Sequence, residues 1–277
     1  MIRIMKKIDM HIHTTFSDGS LSFNEVINRA RNNKCSLISI TDHEFLNDYS
    51  YLNDVLSDVE IANGIEFNTN EKGVHILGYN IKDINFINSF INELHKENEH
   101  VSFELIDALR TIGYNISKEQ VEEYMRSLGL SYKFLDKRHI VRYLVDKKYT
   151  KDVFDTYANL IGSGTKLYIP LKKIPVEDII SLIKSRDGIA VLAHPTSIHK
   201  STDDLLTKIK KLKECGLDGL EIFNRKSDKK YIDLYNDIAN KCDLFKTVGS
   251  DFHSPDCDEI GIDVEDDFYE KVKIKLR

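Results

Sequence analysis

Two histidines near the start of the chain have the spacing of metal ligands. His11 and His13 stand at the end of an apolar stretch, and Asp18 follows in a Ser-Asp-Gly turn. On a β-strand, residues two apart point to the same side, so the two imidazoles are expected to face one point. Imidazoles with a nearby carboxylate are ligands that divalent transition metals prefer. This segment therefore predicts a metal site.

Other histidines and carboxylates stand at the ends of further predicted strands. They are His43, Glu66, His75, His194, Asp251 and His253. Ligands collect at the carboxyl ends of strands in α/β folds, so we expect these side chains to share one site with the first three. Two alternatives stay open. His75 also fits a core histidine bonded to a carbonyl, and Asp42 fits either a carboxylate that orients an imidazole or a helix N-cap.

The elements that must position these residues alternate along the chain. Short apolar runs predict strands at residues 8–12, 37–40, 59–62, 74–79, 188–193, 219–223 and 247–251. Helical patterns are found at residues 22–33, 179–183, 205–214 and 231–241, and the first begins with a Ser22-x-x-Glu25 capping box. Repeated strand–helix units imply a parallel sheet. Residues 81–170 are amphipathic and helical in pattern, which predicts a helical insertion within one catalytic domain of residues 1–277.

Composition narrows the functional class. The 277 residues carry 39 basic and 45 acidic side chains, a net charge of −6, so no overall positive field favours a long polyanion. The four cysteines form no Cys-x-x-Cys pair, which argues against a disulfide framework or a thiolate zinc site. The sequence contains no secretory signal core and no apolar run of membrane-spanning length, so we expect a cytoplasmic protein without membrane association.

Six ordered motifs resemble those of the polymerase and histidinol phosphatase (PHP) family of metallophosphoesterases. They are His11-Ile12-His13 with Ser17-Asp18-Gly19, Ile40-Thr41-Asp42-His43, Gly64-Ile65-Glu66, His75-Ile76-Leu77-Gly78-Tyr79, Ala193-His194-Pro195 and Gly249-Ser250-Asp251-Phe252-His253. Any one of these motifs alone is a weak signal, but six in the family's order, spread over almost the full length, are a strong one. The resemblance implies a distorted (β/α)7 barrel, TIM-like, with a helical insertion.

The resemblance also implies three divalent metal ions, with Mn²⁺ as the first choice and Fe²⁺ or Zn²⁺ as alternatives. By position, the first ion would be held by His11, His13, Glu66 and Asp251, the second by Glu66, His75 and His194, and the third by Asp18, His43 and His253. The implied catalytic residues are His11, His13, Glu66, Asp251 and His253. They would surround a metal-bridging hydroxide that attacks phosphorus.

Within the family, the chain is similar to the branch that hydrolyses nucleoside 3′,5′-bisphosphates and short RNA 5′ ends. The similarity rests on the helical insertion, on the segment that begins at Arg138, and on Tyr168-Ile169-Pro170. Lys137-Arg138-His139 stands where that branch has Arg-Pro-His, so the proline is absent here. A guanidinium can bind two phosphate oxygens at once. The expected phosphate-binding residues are Lys137, Arg138, His139, Arg142, Lys166 and Arg225. For His139 and the basic residues of the insertion, a solvated helix face is an equal alternative.

The sequence thus predicts a metal-dependent phosphoric monoester hydrolase that acts on a small phosphorylated substrate, either a nucleotide or the 5′ end of a short RNA. Histidinol phosphate, another small phosphomonoester and phosphotyrosine are the alternative substrates within the same family. A non-catalytic metal-binding module is an alternative of another class. No partner protein is inferred.

Overall fold

The computed structural model describes residues 4–128, 134–198, 201–224, 228–256 and 259–276. The chain divides into two units. Unit 1 comprises Met1–Ile87 and Lys173–Arg277, and unit 2 comprises Asn88–Lys172.

Within the described residues of unit 1, eight strands form one sheet. They are β1 (Met5–Ile12), β2 (Leu37–Ile40), β3 (Glu60–Asn68), β4 (His75–Tyr79), β5 (Ile189–Leu192), β6 (Gly219–Phe223), β7 (Phe245–Val248) and β8 (Ile262–Glu265). Their order is β7-β6-β5-β4-β3-β2-β1-β8. The expected parallel sheet is wrong in part, because β4 is antiparallel to both β3 and β5, and β8 is antiparallel to β1.

The sheet curls into a nearly closed barrel, which confirms the predicted fold class. The N–H of His13, just after β1, donates to the carbonyl of Phe252, after β7, at 2.9 Å. Asp9 of β1 is fully buried, and its carboxylate accepts the N–H groups of Ser250 at 2.9 Å and Gly261 at 2.8 Å. Burial raises the pKa of Asp9 to about 6. These bonds bring the first strand against the last segments of the barrel.

The helices of unit 1 cover this barrel. They are α1 (Phe23–Asn32), α6 (Val176–Lys184), α7 (Thr202–Glu214), α8 (Lys229–Lys241) and α9 (Asp266–Lys275). The predicted capping box is confirmed, because Ser22 caps α1 and the Glu25 side chain bonds back to the Ser22 N–H at 2.8 Å. The apolar side of α1 packs onto β1 and β2 through a cluster that includes Val26, Ile38 and Ile40. Because helices cover the outer face of these strands and side chains fill the barrel interior, both faces are buried and the strand sequences are nearly continuous apolar runs.

Unit 2 is helical in its described residues. It contains most of α2 (Ile84–Thr111), then α3 (Lys118–Ser127), α4 (Lys137–Asp146) and the short α5 (Val153–Thr156), which continues into a π-helical turn at Tyr157–Ile161. Ser117 caps α3, and Asp136 caps α4. The assignment of these residues to an insertion within one catalytic domain stays a prediction. Among the helices of the described residues, none is long and apolar enough to cross a membrane.

Candidate metal centre

One edge of the barrel carries all nine residues that the sequence predicts as metal ligands. His11 lies in β1, and His13 and Asp18 follow it; His43 follows β2, Glu66 lies in β3, His194 follows β5, and Asp251 and His253 follow β7. His75 is instead the first residue of β4. Because β4 runs antiparallel to its neighbours, its amino end lies at the same edge as the carboxyl ends of the parallel strands.

The first group of candidate ligands consists of His11, His13, Glu66 and Asp251, whose donor atoms lie within 4.8 Å of one another. The Nε2 atoms of His11 and His13 are 3.1 Å apart. Each lies 3.2 Å from Glu66 Oε2. Asp251 Oδ1 lies 3.5 Å from His11 Nε2 and 3.4 Å from His13 Nε2. All four residues are buried, so bulk water is kept from this volume.

The two oxygens of Glu66 face different neighbours. Oε1 lies 2.9 Å from His75 Nδ1 and 2.9 Å from His194 Nε2. Oε2 faces the His11–His13 pair and lies 3.3 Å from His43 Nδ1. His43, Glu66 and His75 form a second group that could hold an ion. A single buried carboxylate therefore lies between two candidate cation positions.

The third group consists of His13, Asp18, His43 and His253. Asp18 Oδ1 lies 3.6 Å from His13 Nδ1 and 3.4 Å from His253 Nε2, and Asp18 Oδ2 lies 3.9 Å from His43 Nε2. The rings of His13 and His253 stack with their centroids 4.2 Å apart. His253 has a side chain 31% exposed, which makes this group the more open of the three.

The donor set fits divalent cations. Glu221 Oε1 lies 3.0 Å from His11 Nδ1, and because an ionised carboxylate only accepts hydrogen bonds, Nδ1 carries a proton and Nε2 is the ring nitrogen that faces His13. Two imidazole nitrogens 3.1 Å apart repel unless a proton or a cation lies between them. Nitrogen and carboxylate oxygen ligands without thiolate suit Mn²⁺, Fe²⁺ or Zn²⁺.

The electrostatics of the cluster also favour positive charge. Burial lowers the pKa of His13, but the hydrogen bonds to Asp251 and Glu66 outweigh it and raise this pKa to about 10. Burial opposes ionisation of Glu66, yet the surrounding imidazoles hold its pKa well below the ordinary value. The pKa of Asp251 is likewise lowered, against its burial, by His11 and His13. The carboxylates thus stay charged and attract cations.

Two of the nine residues have a left-handed backbone. His194 has φ +22° and Asp251 has φ +55°. Residues other than glycine rarely adopt this region, and where they do the strain is often found at functional sites. The His194 ring is held by Ser197, whose Oγ lies 2.9 Å from Nδ1.

Sequence reasoning missed Glu221 as part of this centre. Its side chain is buried in β6 and contacts His11 and the backbone of His194. The available signal was a carboxylate inside the otherwise apolar strand Gly219–Phe223. Asp42 is no N-cap here: it accepts hydrogen bonds from the Thr14 N–H at 2.7 Å and from the Ser17 hydroxyl at 2.6 Å, and so fixes the loop that carries Asp18.

The predicted phosphate-binding residues other than Arg225 lie in unit 2. Lys137 is buried, and its Nζ donates to the Ile161 carbonyl at 3.0 Å. Arg138 Nε donates to Asp136 Oδ1 at 2.8 Å, and Nη2 donates to Asp136 Oδ2 at 3.2 Å. The guanidinium fork is thus engaged by a carboxylate within unit 2.

His139, Arg142 and Lys166 complete the set in unit 2. His139 Nδ1 accepts the Asp136 N–H at 3.0 Å as part of the cap of α4. Arg142 lies on α4, and Lys166 is exposed. Arg225 lies outside the described residues. Phosphate binding by these six residues stays a prediction.

Comparison with known proteins places the centre in a family context. The sequence profile of the PHP domain matches residues 9–174. A Haemophilus influenzae protein named 5′-3′ exoribonuclease is 26% identical over 255 residues, which cover 90% of this chain and 91% of that protein. An Eggerthella lenta protein named phosphoribosyl 1,2-cyclic phosphate 1,2-diphosphodiesterase is 29% identical over 254 residues, or 88% of this chain and 93% of that protein.

A third relative and a solved structure extend the comparison. A Chromobacterium violaceum protein named 3′,5′-nucleoside bisphosphate phosphatase is 24% identical over 259 residues, or 91% of this chain and 88% of that protein. The structure of a Bifidobacterium adolescentis protein, assigned as a metal-dependent phosphoesterase, superposes with a TM-score of 0.79 at 22% identity. That superposition covers 99% of this chain and 97% of the other, and it shows that the two share a fold.

Proposed function

We propose that this protein hydrolyses a phosphomonoester of a nucleotide. The chain belongs to the PHP domain family of metal-dependent phosphoesterases, and the proposal proceeds from that membership. The preferred substrate is a nucleoside 3′,5′-bisphosphate or the 5′ end of a short RNA. The observation that carries the proposal is the convergence of nine His, Asp and Glu side chains at one barrel edge: eight of them form three overlapping candidate ligand groups, and the ninth, His194, contacts Glu66. Their charge and burial suit binding of cations and, through them, of a phosphate.

In this proposal the chain binds up to three divalent cations, through the nine residues already placed at the barrel edge. Bound divalent cations lower the pKa of a coordinated water and neutralise charge on phosphate oxygens. Glu66 would hold neighbouring cations, because its two oxygens face different sets of imidazoles. The Nε2 atoms of His11 and His13 face one position, where a cation would take the place of a proton, and both rings are buried. Mn²⁺ is the proposed ion.

The substrate class is supported by the names of the relatives rather than by contacts in this chain. One relative is named for a nucleoside bisphosphate phosphatase and another for an exoribonuclease. Both names describe substrates that carry a nucleotide phosphate. The exoribonuclease name also points to a second candidate activity, cleavage of a phosphodiester, and the cyclic phosphate diphosphodiesterase supports it.

Product analysis of the Mn²⁺-loaded protein separates these activities. The substrates are adenosine 3′,5′-bisphosphate, 5′-AMP, histidinol phosphate, a phosphotyrosyl peptide and a short 5′-phosphorylated RNA. The test variant is His13→Ala, and the matched control is His100→Ala, because His100 is an exposed histidine of unit 2 whose Nδ1 lies 2.7 Å from the Glu97 carbonyl oxygen. Phosphate release and nucleotide release are measured for each.

The proposal expects inorganic phosphate from adenosine 3′,5′-bisphosphate, lost in His13→Ala and retained in His100→Ala. Release of mononucleotides from RNA without release of phosphate would show that the protein is a phosphodiesterase and not a phosphomonoesterase. Preference for histidinol phosphate or the peptide would overturn the substrate class. If the fully metal-loaded protein turns over none of these substrates, the proposed enzymatic activity is refuted and a metal-binding module is favoured.

A further inference from the structure

We propose that Glu221 is a positioning residue that fixes which nitrogen of His11 faces the metal centre. The proposal rests on the proposed function, since it assigns His11 Nε2 as a metal ligand. Glu221 contacts His11 at Nδ1, the ring nitrogen that faces away from the first ligand group, and contacts His194 at its backbone N–H. Its two carboxylate oxygens instead accept one hydrogen bond each from two candidate ligand residues.

The geometry pairs two donors with two acceptors. The Nδ1–H of His11 donates to Glu221 Oε1 at 3.0 Å, and the backbone N–H of His194 donates to Glu221 Oε2 at 2.7 Å. A carboxylate is an acceptor at both oxygens. With Nδ1 holding the proton, the other nitrogen of the His11 ring is left with its lone pair toward His13, Glu66 and Asp251. The carboxylate therefore selects the ring tautomer that can bind a cation.

The contact is enclosed, so water cannot replace it. The side chains of His11 and Glu221 are both 0% exposed. Gly249 makes room for them, because a Cβ there would lie 2.3 Å from His11 Cβ and 2.7 Å from Glu221 Oε1. Glu221 also holds the N–H of His194, whose φ of +22° is unusual for a residue with a side chain. One carboxylate on β6 thus positions a ligand on β1 and another after β5.

Glutamine cannot replace this glutamate, although it has nearly the same shape. Its amide offers one acceptor oxygen, while both His11 and His194 present donors at this site. If the amide NH₂ faces His11, the ring is driven to the tautomer with Nδ1 unprotonated and the proton on Nε2, which blocks metal ligation by Nε2. If the NH₂ faces His194, two buried N–H groups oppose each other, which is unfavourable.

The test compares Glu221→Gln with Asp218→Asn in the full-length protein. Asp218 precedes the other end of β6 and also accepts two kinds of donor, Lys184 Nζ at 2.7 Å and the Ala190 N–H at 2.9 Å. It is therefore a matched structural carboxylate that is not a neighbour of the candidate ligands. Mn²⁺ affinity is measured by titration with electron paramagnetic resonance of the free ion. Partners of ligand histidines typically contribute about 10–100-fold in metal affinity.

We expect Glu221→Gln to weaken the tightest Mn²⁺ binding by about 10–100-fold, and Asp218→Asn to leave it within about 2-fold even where it lowers the melting temperature. A Glu221→Gln affinity equal to that of the Asp218→Asn control would overturn the proposal. The wild-type protein provides a second measurement that needs no variant. In the Zn²⁺-loaded, ¹⁵N-histidine-labelled protein, the protonated nitrogen of His11 must be Nδ1, with the assignment made from the signal lost in His11→Gln.

A protonated Nε2 on His11 in the Zn²⁺-loaded wild type would overturn the proposal by itself. Failure of the proposed function gives a different result, namely wild-type protein that binds neither Mn²⁺ nor Zn²⁺ at the cluster. Metal binding without turnover would contradict the phosphoesterase and leave the role of Glu221 intact.

Discussion

Replacing Glu66 with glutamine removes the carboxylate that lies between two candidate cation positions. Oε1 lies 2.9 Å from nitrogens of His75 and His194, and Oε2 lies 3.2 Å from Nε2 of both His11 and His13. A glutamine side chain keeps one acceptor oxygen and turns the other position into an NH₂ donor, which cannot bind a cation. One of the two cation positions beside Glu66 loses its carboxylate oxygen, and both positions lose the negative charge of that carboxylate.

The size of the effect follows from metal–folding linkage. At a Mn²⁺ concentration 100 times the wild-type Kd, one bound ion adds about 2.7 kcal/mol to the free energy of unfolding. Partners of ligand residues contribute about 10–100-fold in affinity, and Glu66 is itself a proposed ligand, so we take about 100-fold. At the same concentration the variant would retain about 0.4 kcal/mol. The loss of about 2.3 kcal/mol corresponds to about 4 °C in Tm for a chain of 277 residues, because the entropy of unfolding grows with chain length.

The assay is a thermal melt followed by circular dichroism, with EDTA and with Mn²⁺, for wild type, Glu66→Gln and Glu71→Gln. Glu71 is the control because its side chain is 38% exposed and pairs with Lys208 outside the cluster. We expect Mn²⁺ to raise the Tm of wild type and Glu71→Gln equally, and that of Glu66→Gln by about 4 °C less. An equal Mn²⁺-dependent rise in all three would refute the bridging role.

Three further predictions follow from other contacts. Asp18→Asn should lower the Mn²⁺ content by one ion, as measured by plasma mass spectrometry after gel filtration, because Asp18 belongs to only one ligand group; loss of every ion would contradict separate groups. Gly249→Ala should lower the Tm of the metal-free protein, because its Cβ would lie 2.3 Å from His11 Cβ, at a cost of about 1–3 kcal/mol; an unchanged Tm would show that the close packing is absent. Burial lowers the pKa of His139 to about 4, so the unfolded chain, with a His pKa near 6.5, binds the proton first as the pH falls. The free energy of unfolding should then drop by about 2–3 kcal/mol between pH 6.5 and pH 4. His139→Gln keeps an acceptor for the Asp136 N–H at the helix cap. In urea titrations with EDTA, this variant should show a weaker dependence of the unfolding free energy on pH. A pH dependence equal to that of the wild type would mean that other groups cause it.

The parts of the fold that sequence predicts best are those in which one signal dominates. The bounds of β2 and β6 agree with the predicted runs at residues 37–40 and 219–223, because both strands are mostly apolar and almost entirely buried. The capping box placed the start of α1 correctly, since Ser22 and Glu25 satisfy each other's backbone groups. Local chemistry was sufficient at these positions.

Strand direction and strand ends depended on longer-range contacts. Only the six residues 69–74 join β3 to β4, which is too few for the crossover that a parallel pair needs. The predicted strands at residues 59–62 and 74–79 left a longer connection, so the reversal became evident only once β3 was seen to extend to Asn68. The predicted strand at residues 247–251 is shorter in the structure, where β7 ends at Val248 and Asp251 has a left-handed backbone. The polar, short β8 has no comparable signal, because half of its residues face solvent.

The histidines and carboxylates of the candidate site could be predicted from the sequence, but the residues that orient them could not. Paired histidines and strand-end acids are rare combinations, so His11, His13 and Asp251 stand out in sequence. Glu221 stands out only as a carboxylate in an apolar strand, and its role could not be predicted because it depends on a neighbour 210 residues away in the chain. Contacts of that range arise only from strand order, which the sequence pattern specified incompletely.

The most direct test of the central claim is a crystal structure of the Mn²⁺-soaked protein with anomalous data collected at the manganese edge. We expect anomalous peaks within the nine-residue cluster: one at Glu66 Oε2 and Nε2 of both His11 and His13, and another at Glu66 Oε1. Crystals of Mn²⁺-activated protein that show no anomalous peak within coordination distance of Glu66 would contradict this expectation.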